Sequence, residues 1–538
     1  MPLRRLAAAC AAAILTACAG SSAAPRTLHM ALQADFPGLN PLVLENANVS
    51  QYAPLFHGFL LRTDGDNHLI PDLATEVPTA ANGGISKDGR TVTYHLRRNV
   101  RWHDGAPFDA RDVVFSFRAA MNPANNVPDR TGFDHVKTIR ALDDHTVRVT
   151  LTSAFTPFVP ACLTMGANDP YPILPAHLLE KKVDLNHDPY SAKPVGLGPY
   201  KVTAWERGAR VVLDADPAYW RGKPAIARIE LRFVPSANTL GTEWTAGHVD
   251  LGVARNSAGR ALADTIRRAP GTHVILKPHY QFDYLMFNTA RAPLDDERVR
   301  AAIVRGIDRH RIMRDLEGDL YLPGEGDRLP GQFAYDPALK QPPYDPAAAA
   351  KLLDAAGWRM AGGVRMKNGT PLTLELVGIT EIPLTDRFDL IAQQQLAALG
   401  VRASLKSYGY NLAWATAAEG GVYQNGRFHL SLSGWQPNGV GDHSYLFRCD
   451  RRPPGGENFD RICDPALDAA AQTELTTTDP RVEADADRRI TRALVEHAYV
   501  LFLGFNQEVL VVRNDLEGMT PSVNGQHYWN AWAWRWKS

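Results

Sequence analysis

Residues 88–105 read Asp-Gly-Arg-Thr-Val-Thr-Tyr-His-Leu-Arg-Arg-Asn-Val-Arg-Trp-His-Asp-Gly, and this stretch is the most informative about the fold. Over 91–97 apolar and polar residues alternate, which places Val92, Tyr94 and Leu96 on one face, as in a half-buried β-strand. An Asp-Gly pair at each end supplies turn residues. The stretch therefore predicts a strand between two turns, in a sheet with one buried face.

Helical signatures are clearest in the second half of the chain. Apolar residues at helical spacing predict a helix over Asp296–Met313, with acids near its start and arginines later, as the helix dipole favours. Asp-Pro at the start and glycine at the end predict another helix over 345–357. A third helix is predicted to end at Leu399, and Gly400 separates it from the strand 401–405. Helix, glycine and strand in succession indicate an α/β protein.

The N-terminal residues have the pattern of an export and anchoring signal. Two arginines precede the apolar run Leu6–Leu15, which is too short to span a bilayer. Leu-Thr-Ala-Cys at residues 15–18 resembles a bacterial lipobox, in which cleavage precedes a cysteine that carries a diacylglycerol. We therefore expect a signal peptide over 1–17, lipid on Cys18 and a tether over 18–25. The alternative is an ordinary signal peptide with a chance cysteine.

The charge balance argues against nucleic acid as a partner. The chain has 58 basic and 58 acidic residues. Removal of residues 1–17 takes away two arginines and leaves a charge near −2, whereas nucleic-acid binding needs a basic footprint. At 538 residues the chain is too long for one compact core, so several domains are expected. No later run of apolar residues is long enough to span a membrane, which leaves the lipid as the expected anchor.

Three cysteines remain besides those at positions 10 and 18. Cys449 and Cys463 are expected to pair in an oxidising compartment, and closing their loop would stabilise the fold by roughly 3 kcal/mol. The alternative is two free buried thiols. Cys162 lies among apolar neighbours and is expected to be a small buried residue.

Seven short segments of the chain have the composition and the order of segments found together in a known protein family. They are residues 88–105, Asp112–Ser116, Pro194–Tyr200, Tyr219–Pro224, Ala246–Asp250, Phe287–Thr289 and Val299–Arg309. Together they resemble the bacterial extracellular solute-binding proteins of family 5, the dipeptide-, oligopeptide- and nickel-binding components of ABC importers.

The resemblance implies an α/β fold of the periplasmic-binding-protein type II-like kind, a two-lobe clamshell with an extra inserted domain. Lobes joined by hinges can close around a solute without separating. The implied parts are lobe one over 26–62, 194–284 and 496–538, the inserted domain over 63–193, and lobe two over 285–495.

The resemblance also indicates where a ligand would bind. In similar peptide binders a Gly-Trp is followed closely by an aspartate that meets the ligand's ammonium. Here Trp435 is followed at that offset by Asn438, and Asp442 could serve only if the loop carries an insertion. The arginine that grips a dipeptide's carboxylate is also replaced, by the stretch 378–381, Gly-Ile-Thr-Glu. A buried charge without a partner costs several kcal/mol, so an oligopeptide held through its backbone, or an oligosaccharide, is favoured over a free dipeptide.

Aromatic residues near the expected cleft offer a stacking surface. Tyr408, Tyr410 and Trp414 follow a predicted strand and could stack on sugar or peptide side chains, with core packing as the alternative. None of the 17 histidines has a recognised metal-ligand spacing, so we expect no metal site and no cofactor. A nickel chelate as ligand stays open, as does convergence of three histidines in the cleft. These histidines are His57, His443 and His527.

The sequence lacks the elements of common hydrolases. There is no Gly-x-Ser-x-Gly or Ser-x-x-Lys element and no cysteine placed as a nucleophile, so we expect a binding protein and not an enzyme. An anchored secreted hydrolase and a signalling receptor are the alternatives. The predicted function is that of a monomeric, lipid-anchored, extracytoplasmic protein. It would deliver a captured solute, most readily an oligopeptide, to an ABC permease with its ATPase subunits. The anchor would face the periplasm in a diderm and the outer surface in a monoderm.

Overall fold

The computed structural model describes residues 26–32, 34–44, 47–166, 171–254, 264–265, 267–436, 443–454 and 456–538. The predicted signal peptide, the lipidated Cys18 and the tether up to residue 25 lie outside the described residues. Within those ranges, no helix has both the length and the apolar character needed to cross a bilayer.

The strands are short except for two. In chain order they are β1 Thr27–Leu32, β2 Leu61–Thr63, β3 Leu69–Pro71, β4 Thr91–His95, β5 Val136–Asp143, β6 Thr146–Leu151, β7 Thr164–Met165, β8 Tyr200–Glu206, β9 Arg210–Ala215, β10 Arg228–Phe233, β11 Leu251–Ala254, β12 Thr272–Phe287, β13 Tyr321–Pro323, β14 Arg359–Ala361, β15 Val364–Lys367, β16 Thr370–Pro371, β17 Thr373–Ile379, β18 Arg402–Tyr408, β19 Leu430–Trp435, β20 Val500–Arg513, β21 Leu516–Glu517 and β22 Arg535–Trp536.

The helices flank these strands. In chain order they are α1 Ala47–Tyr52, α2 Ala110–Met121, α3 Phe158–Ala161, α4 Ala176–Leu179, α5 Ala237–Thr245, α6 Glu297–Gly306, α7 Arg309–Glu317, α8 Pro346–Ala355, α9 Pro383–Ala398, α10 Tyr410–Trp414, α11 Ser444–Phe447, α12 Pro465–Thr476 and α13 Pro480–Glu496.

One 11-stranded sheet runs through most of the described chain, in the order β18-β17-β19-β12-β20-β11-β1-β10-β9-β8, with β13 paired to β20. A separate sheet, β4-β6-β5, forms the inserted domain together with α2. Strands with helices packed on them confirm the predicted α/β class.

The long strands β12 and β20 pair with each other and change cores along their length. At one end, Ile275 of β12 and Leu510 of β20 pack in the core of the first lobe. At the other end, Phe282 of β12 and Phe502 of β20 pack in a core of the second lobe. Their pairing register shifts between Pro278 and Phe282. Both strands therefore cross from one core to the other near this shift.

The motif at 88–116 forms the core of the inserted domain. Val92 and Tyr94 are buried on one face of β4, as the alternation predicts. Trp102 is buried and donates a hydrogen bond from its indole nitrogen to Asp112, 3.0 Å away. The Asp112 side chain also completes a capping box with Asp109 at the start of α2. These residues hold the inserted domain together.

The helix predicted over Asp296–Met313 is wrong in one respect, because the structure has two helices there. The first ends at Gly306, and Ile307 is extended. Asp308 then accepts a hydrogen bond from the backbone N–H of Arg311 and begins the second helix. An aspartate can interrupt a helix by capping the start of a new one. The apolar spacing continues across both helices, so it does not reveal the break.

Other local predictions are confirmed. Asp345 caps α8 by accepting from the backbone N–H of Ala348. The predicted Leu399–Gly400 stop follows α9, and Gly400 has a φ of 79°. Cys449 and Cys463 form a disulfide, and Cys162 is free and buried.

The inserted domain also touches the second lobe. The backbone N–H of Thr156 donates to the carbonyl of Leu475 at 2.7 Å, and the Thr156 hydroxyl donates to the carbonyl of Thr477. Leu475, near the end of α12, packs in the core of the inserted domain. The two parts are therefore in direct contact away from the crossing strands.

Candidate functional site

Parallel strands of the second lobe end at one edge of the sheet. β17 pairs in parallel with both β18 and β19. Their last residues, Ile379, Tyr408 and Trp435, therefore lie along a common edge. Trp435 pairs with Phe282, the first residue of β12 beyond the register shift. This carboxyl edge consequently faces the crossing.

The first lobe has a matching edge. β1 pairs in parallel with β10 and β11. Ala254, the last residue of β11, pairs with Val509 of β20, close to the crossing. In open α/β sheets, ligands bind outside the carboxyl ends of parallel strands. The crevice between these two edges is the candidate functional site.

Uncharged polar groups and one buried acid line the crossing. The side-chain amide of Gln436 donates to the carbonyl of Asn524 in the first lobe at 3.0 Å. Asn506 donates to Asp283 at 2.6 Å, and Gln281 donates to its other carboxylate oxygen at 3.4 Å. Burial raises the pKa of Asp283 to about 7, against the effect of these two donors. The described part of the site therefore offers mainly hydrogen-bonding groups.

A side chain at Gly434 would displace the polar side chains beside this acid. A Cβ on Gly434 would lie 2.2 Å from the Gln281 side-chain nitrogen and 2.8 Å from an Asp283 carboxylate oxygen. The Gly-Trp pair therefore serves two purposes: the glycine admits the polar side chains of β12, and Trp435 ends β19 half-buried at the crevice. The predicted ligand contacts Asn438 and Asp442 lie outside the described residues.

The predicted aromatic contacts lie at the same edge of the second lobe, with different exposure. Tyr408 ends β18 and is half-buried, whereas the Tyr410 side chain is 50% exposed. Trp414 packs against Tyr423 and Phe459, with ring centroids 4.7 and 5.5 Å away. Trp414 thus belongs largely to the core, and Tyr410 is the most exposed of the three aromatic side chains.

The stretch that replaces the expected arginine presents an acid. Glu381 follows the end of β17 and accepts a hydrogen bond from the backbone N–H of Tyr410 at 2.8 Å. It is exposed. This part of the edge therefore favours cationic or neutral ligand groups over a carboxylate.

The three histidines considered as metal ligands have separate partners. His57 is bonded to the carbonyl of Leu39 at 2.9 Å, and burial lowers its pKa to about 4. His527 lies 2.6 Å from Glu508. His443 lies 2.5 Å from Asp327, so the three are held in different parts of the fold.

His443 belongs to a buried ion network inside the second lobe. Arg328 binds Asp327 and Asp487 at 2.5 Å each, and Glu474 lies 3.5 Å from His443. Burial disfavours a charged histidine, but Asp327 and Asp487 outweigh it and raise the pKa of His443 well above its usual range. The guanidinium of Arg328 lies 5.9 Å from the Tyr280 ring, which places the network next to the crossing.

Sequence reasoning missed Gln281, Asp283, Asn506 and the ion network. A signal was present for the first three, because polar residues interrupt otherwise apolar strands there. An interrupted buried strand often marks a site where something else is bound.

The fold and the crevice define a two-lobe α/β binding protein. The model of the bacterial extracellular solute-binding proteins, family 5 (middle part), matches residues 68–454. The chain therefore belongs to this family. The members of the family are extracytoplasmic solute-binding proteins and not enzymes.

Relatives support the assignment over nearly the whole chain. Protein XP55 of Streptomyces lividans is 28% identical over 98% of this chain and 94% of its own length. Di/tripeptide-binding protein 2 of Pseudomonas aeruginosa is 27% identical over 86% of each chain. The structure of NikZ from Campylobacter jejuni in complex with Ni(L-His) has a TM-score of 0.75 at 25% identity. It matches 95% of this chain and 99% of NikZ. The predicted family and two-lobe fold are thus confirmed.

Proposed function

We propose that this protein captures oligopeptides in the crevice between the lobes and delivers them to the permease of an ABC importer. The observation that carries the proposal is the end of β19. Along its length β19 pairs with β12, but among the described residues its pairing with β17 is confined to Leu430. The strand's last residues therefore offer main-chain groups at the crevice.

An extended peptide can add to such a strand end through main-chain hydrogen bonds. The surrounding amides, Gln281, Gln436 and Asn506, suit a ligand recognised by its backbone, because they bind without requiring a charged terminus. The similarity to a di/tripeptide-binding protein supports a peptide as ligand.

Replacing Trp435 by alanine is expected to weaken peptide binding by at least 2 kcal/mol, roughly 30-fold. The reason is that the indole would pack against a peptide bound at the end of β19. Isothermal titration of the delipidated protein with peptide pools of increasing length measures this loss. Trp536→Ala is the matched control, because that indole stacks on Arg26 at 3.5 Å, near the chain's end. Equal affinities for the two variants would contradict the proposal.

The same titration separates the remaining ligands. Binding of oligosaccharides would be expected to involve the exposed Tyr410. Binding of a nickel chelate of the kind bound by NikZ, together with no binding of peptides, would indicate a chelate as the ligand. Loss of peptide binding in Asp442→Ala, with retention in Asn438→Ala, would support Asp442 as the ammonium partner.

The proposal includes the lobe boundaries. We place the two crossings at 278–281 and 506–508, where the strands change cores, near the boundaries expected at 284 and 496. Residues 63–193 would then form the inserted domain, and the protein would act as a monomer.

We also propose that Cys18 anchors the protein on the extracytoplasmic face of the membrane. A thioether-linked diacylglycerol provides two acyl chains, which anchor stably where one does not. Cys18→Ser is therefore expected to move the protein from the membrane fraction to the soluble fraction. Cys10→Ser, in the same leader, is the control and should leave the distribution unchanged. Equal membrane fractions for both variants would exclude the anchor.

A further inference from the structure

Three potential metal ligands converge inside the second lobe. They are His443, which immediately precedes α11, Glu474 of α12 and Asp487 of α13. All three are buried, and their nearest ligand atoms lie within 4.8 Å of one another. Among the described residues, Nδ1 of His443 has no hydrogen-bond partner, although the side chain is only 3% exposed. A buried ring nitrogen of this kind needs an occupant.

The spacing of the ligand atoms suits a small cation. Nδ1 of His443 lies 3.5 Å from a Glu474 oxygen and 3.6 Å from an Asp487 oxygen. Nitrogen and oxygen ligands of tetrahedral zinc, each at about 2.0–2.2 Å from the metal, lie about 3.4 Å from one another. The two separations from Nδ1 are therefore close to those of a zinc site, and the third is no longer than 4.8 Å.

The groups around the cluster complete the chemistry of a metal site. The other ring nitrogen of His443 lies 2.5 Å from Asp327. A carboxylate in that position orients a metal-binding histidine and fixes its tautomer. Arg328 donates, at 2.5 Å, to the same Asp487 oxygen that faces His443.

The charge balance also favours a divalent cation. The three carboxylates of Asp327, Glu474 and Asp487 surround two groups that can carry positive charge, His443 and Arg328, so the acids outnumber the bases among these residues. Buried charges of this kind are expected to be paired or to coordinate a metal.

We propose that His443, Glu474 and Asp487 form a resident site for one divalent cation of the zinc class, held inside the second lobe. The ion would tie the start of α11 to the α12–α13 hairpin, next to the crossing strands. The inference rests on this geometry alone and does not depend on the identity of the captured solute. The sequence predicts no metal site, because the ligands come from three separate segments.

Zinc content and thermal unfolding test the proposal. The untagged protein is stripped with EDTA, titrated with Zn²⁺ alone, dialysed and analysed by mass spectrometry for metals. The wild type is expected to retain equimolar zinc and to show a higher melting temperature with zinc than without. His443→Gln should lose both effects. His57→Gln, which alters another buried histidine, is the control and should retain them.

Asp327→Asn tests the orienting role of the neighbouring carboxylate. It should still bind zinc, with an affinity lower by about 10–100-fold, because only the support of His443 is weakened. Trp435→Ala should retain zinc fully, which distinguishes a resident ion from a solute captured in the crevice.

Two results would overturn the site. One is a wild type that retains no zinc and melts at the same temperature with and without it, which would leave a proton on Nδ1 as the occupant. The other is unchanged zinc retention in His443→Gln. If that variant does not fold, X-ray absorption on the zinc-loaded wild type decides: one histidine and carboxylate oxygens support the site, and any other ligand set excludes it.

Discussion

Replacing Arg62 by methionine is expected to lower the free energy of unfolding by up to about 3–5 kcal/mol, because the change removes the shorter of two arginine contacts to a buried carboxylate and leaves only Arg221, 3.3 Å from Asp72. Arg62 is 1% exposed and lies 2.7 Å from Asp72, which is equally buried. Its guanidinium also donates to the carbonyl of Trp529 and lies 4.8 Å from the Trp532 ring. Urea unfolding of the mature protein, followed by circular dichroism, measures the effect.

The control is an exposed pair of the same chemistry. Arg228 and Asp214 lie 2.6 Å apart on neighbouring strands, with side chains 51% and 33% exposed. Arg228→Met should change the free energy of unfolding by less than about 1 kcal/mol. Similar losses in both variants would show that burial of the Arg62 pair has no special energetic weight.

Replacing Asp389 by asparagine is expected to stabilise the protein at high pH. Asp389 is 2% exposed on α9, and one of its oxygens has no hydrogen-bond partner among the described residues. Burial, and then the nearby Asp386, raise its pKa from 3.8 to about 8. The folded state therefore holds a proton that the unfolded state releases, so wild-type stability falls as the pH rises from about 4 to about 8.

Asparagine cannot ionise, so the variant lacks this loss. The two proteins should be similar near pH 4 and differ by on the order of 5 kcal/mol above pH 8, given about 1.4 kcal/mol for each pKa unit. Urea unfolding at a series of pH values gives the comparison. Asp315→Asn, at a position 62% exposed, is the control and should follow the wild type. A constant difference between Asp389→Asn and the wild type at all pH values would refute the raised pKa.

Local chemistry made much of the fold predictable. The strand at 91–97, the cap at Asp345 and the stop at Gly400 each depend on a few neighbouring residues, so sequence reveals them. The disulfide between Cys449 and Cys463 was predictable because the chain is expected in an oxidising compartment, where cysteines pair. The family resemblance then supplied the arrangement that no local pattern contains.

The remaining features depend on contacts between distant segments. Asp308 could continue a helix or cap a new one, and its surroundings decide between the two. The polar crossing joins Asp283 to Asn506, and the ion network joins Arg328 to Asp487. No spacing rule connects residues so far apart. The positions of Trp435 and Tyr410 could be inferred from the resemblance, and their roles as ligand contacts stay predictions.

The paired crossing strands restrict how the two lobes can move. β12 and β20 run side by side through both lobes, and their pairing register shifts between Pro278 and Phe282 and again between Asp283 and Tyr284. Sliding one lobe sideways past the other would break main-chain bonds on both sides of this stretch, whereas folding the sheet along it would break few. The sheet therefore resists bending along this stretch less than it resists sliding. A solute that contacts both strand edges would then act on the bend of the sheet at this stretch.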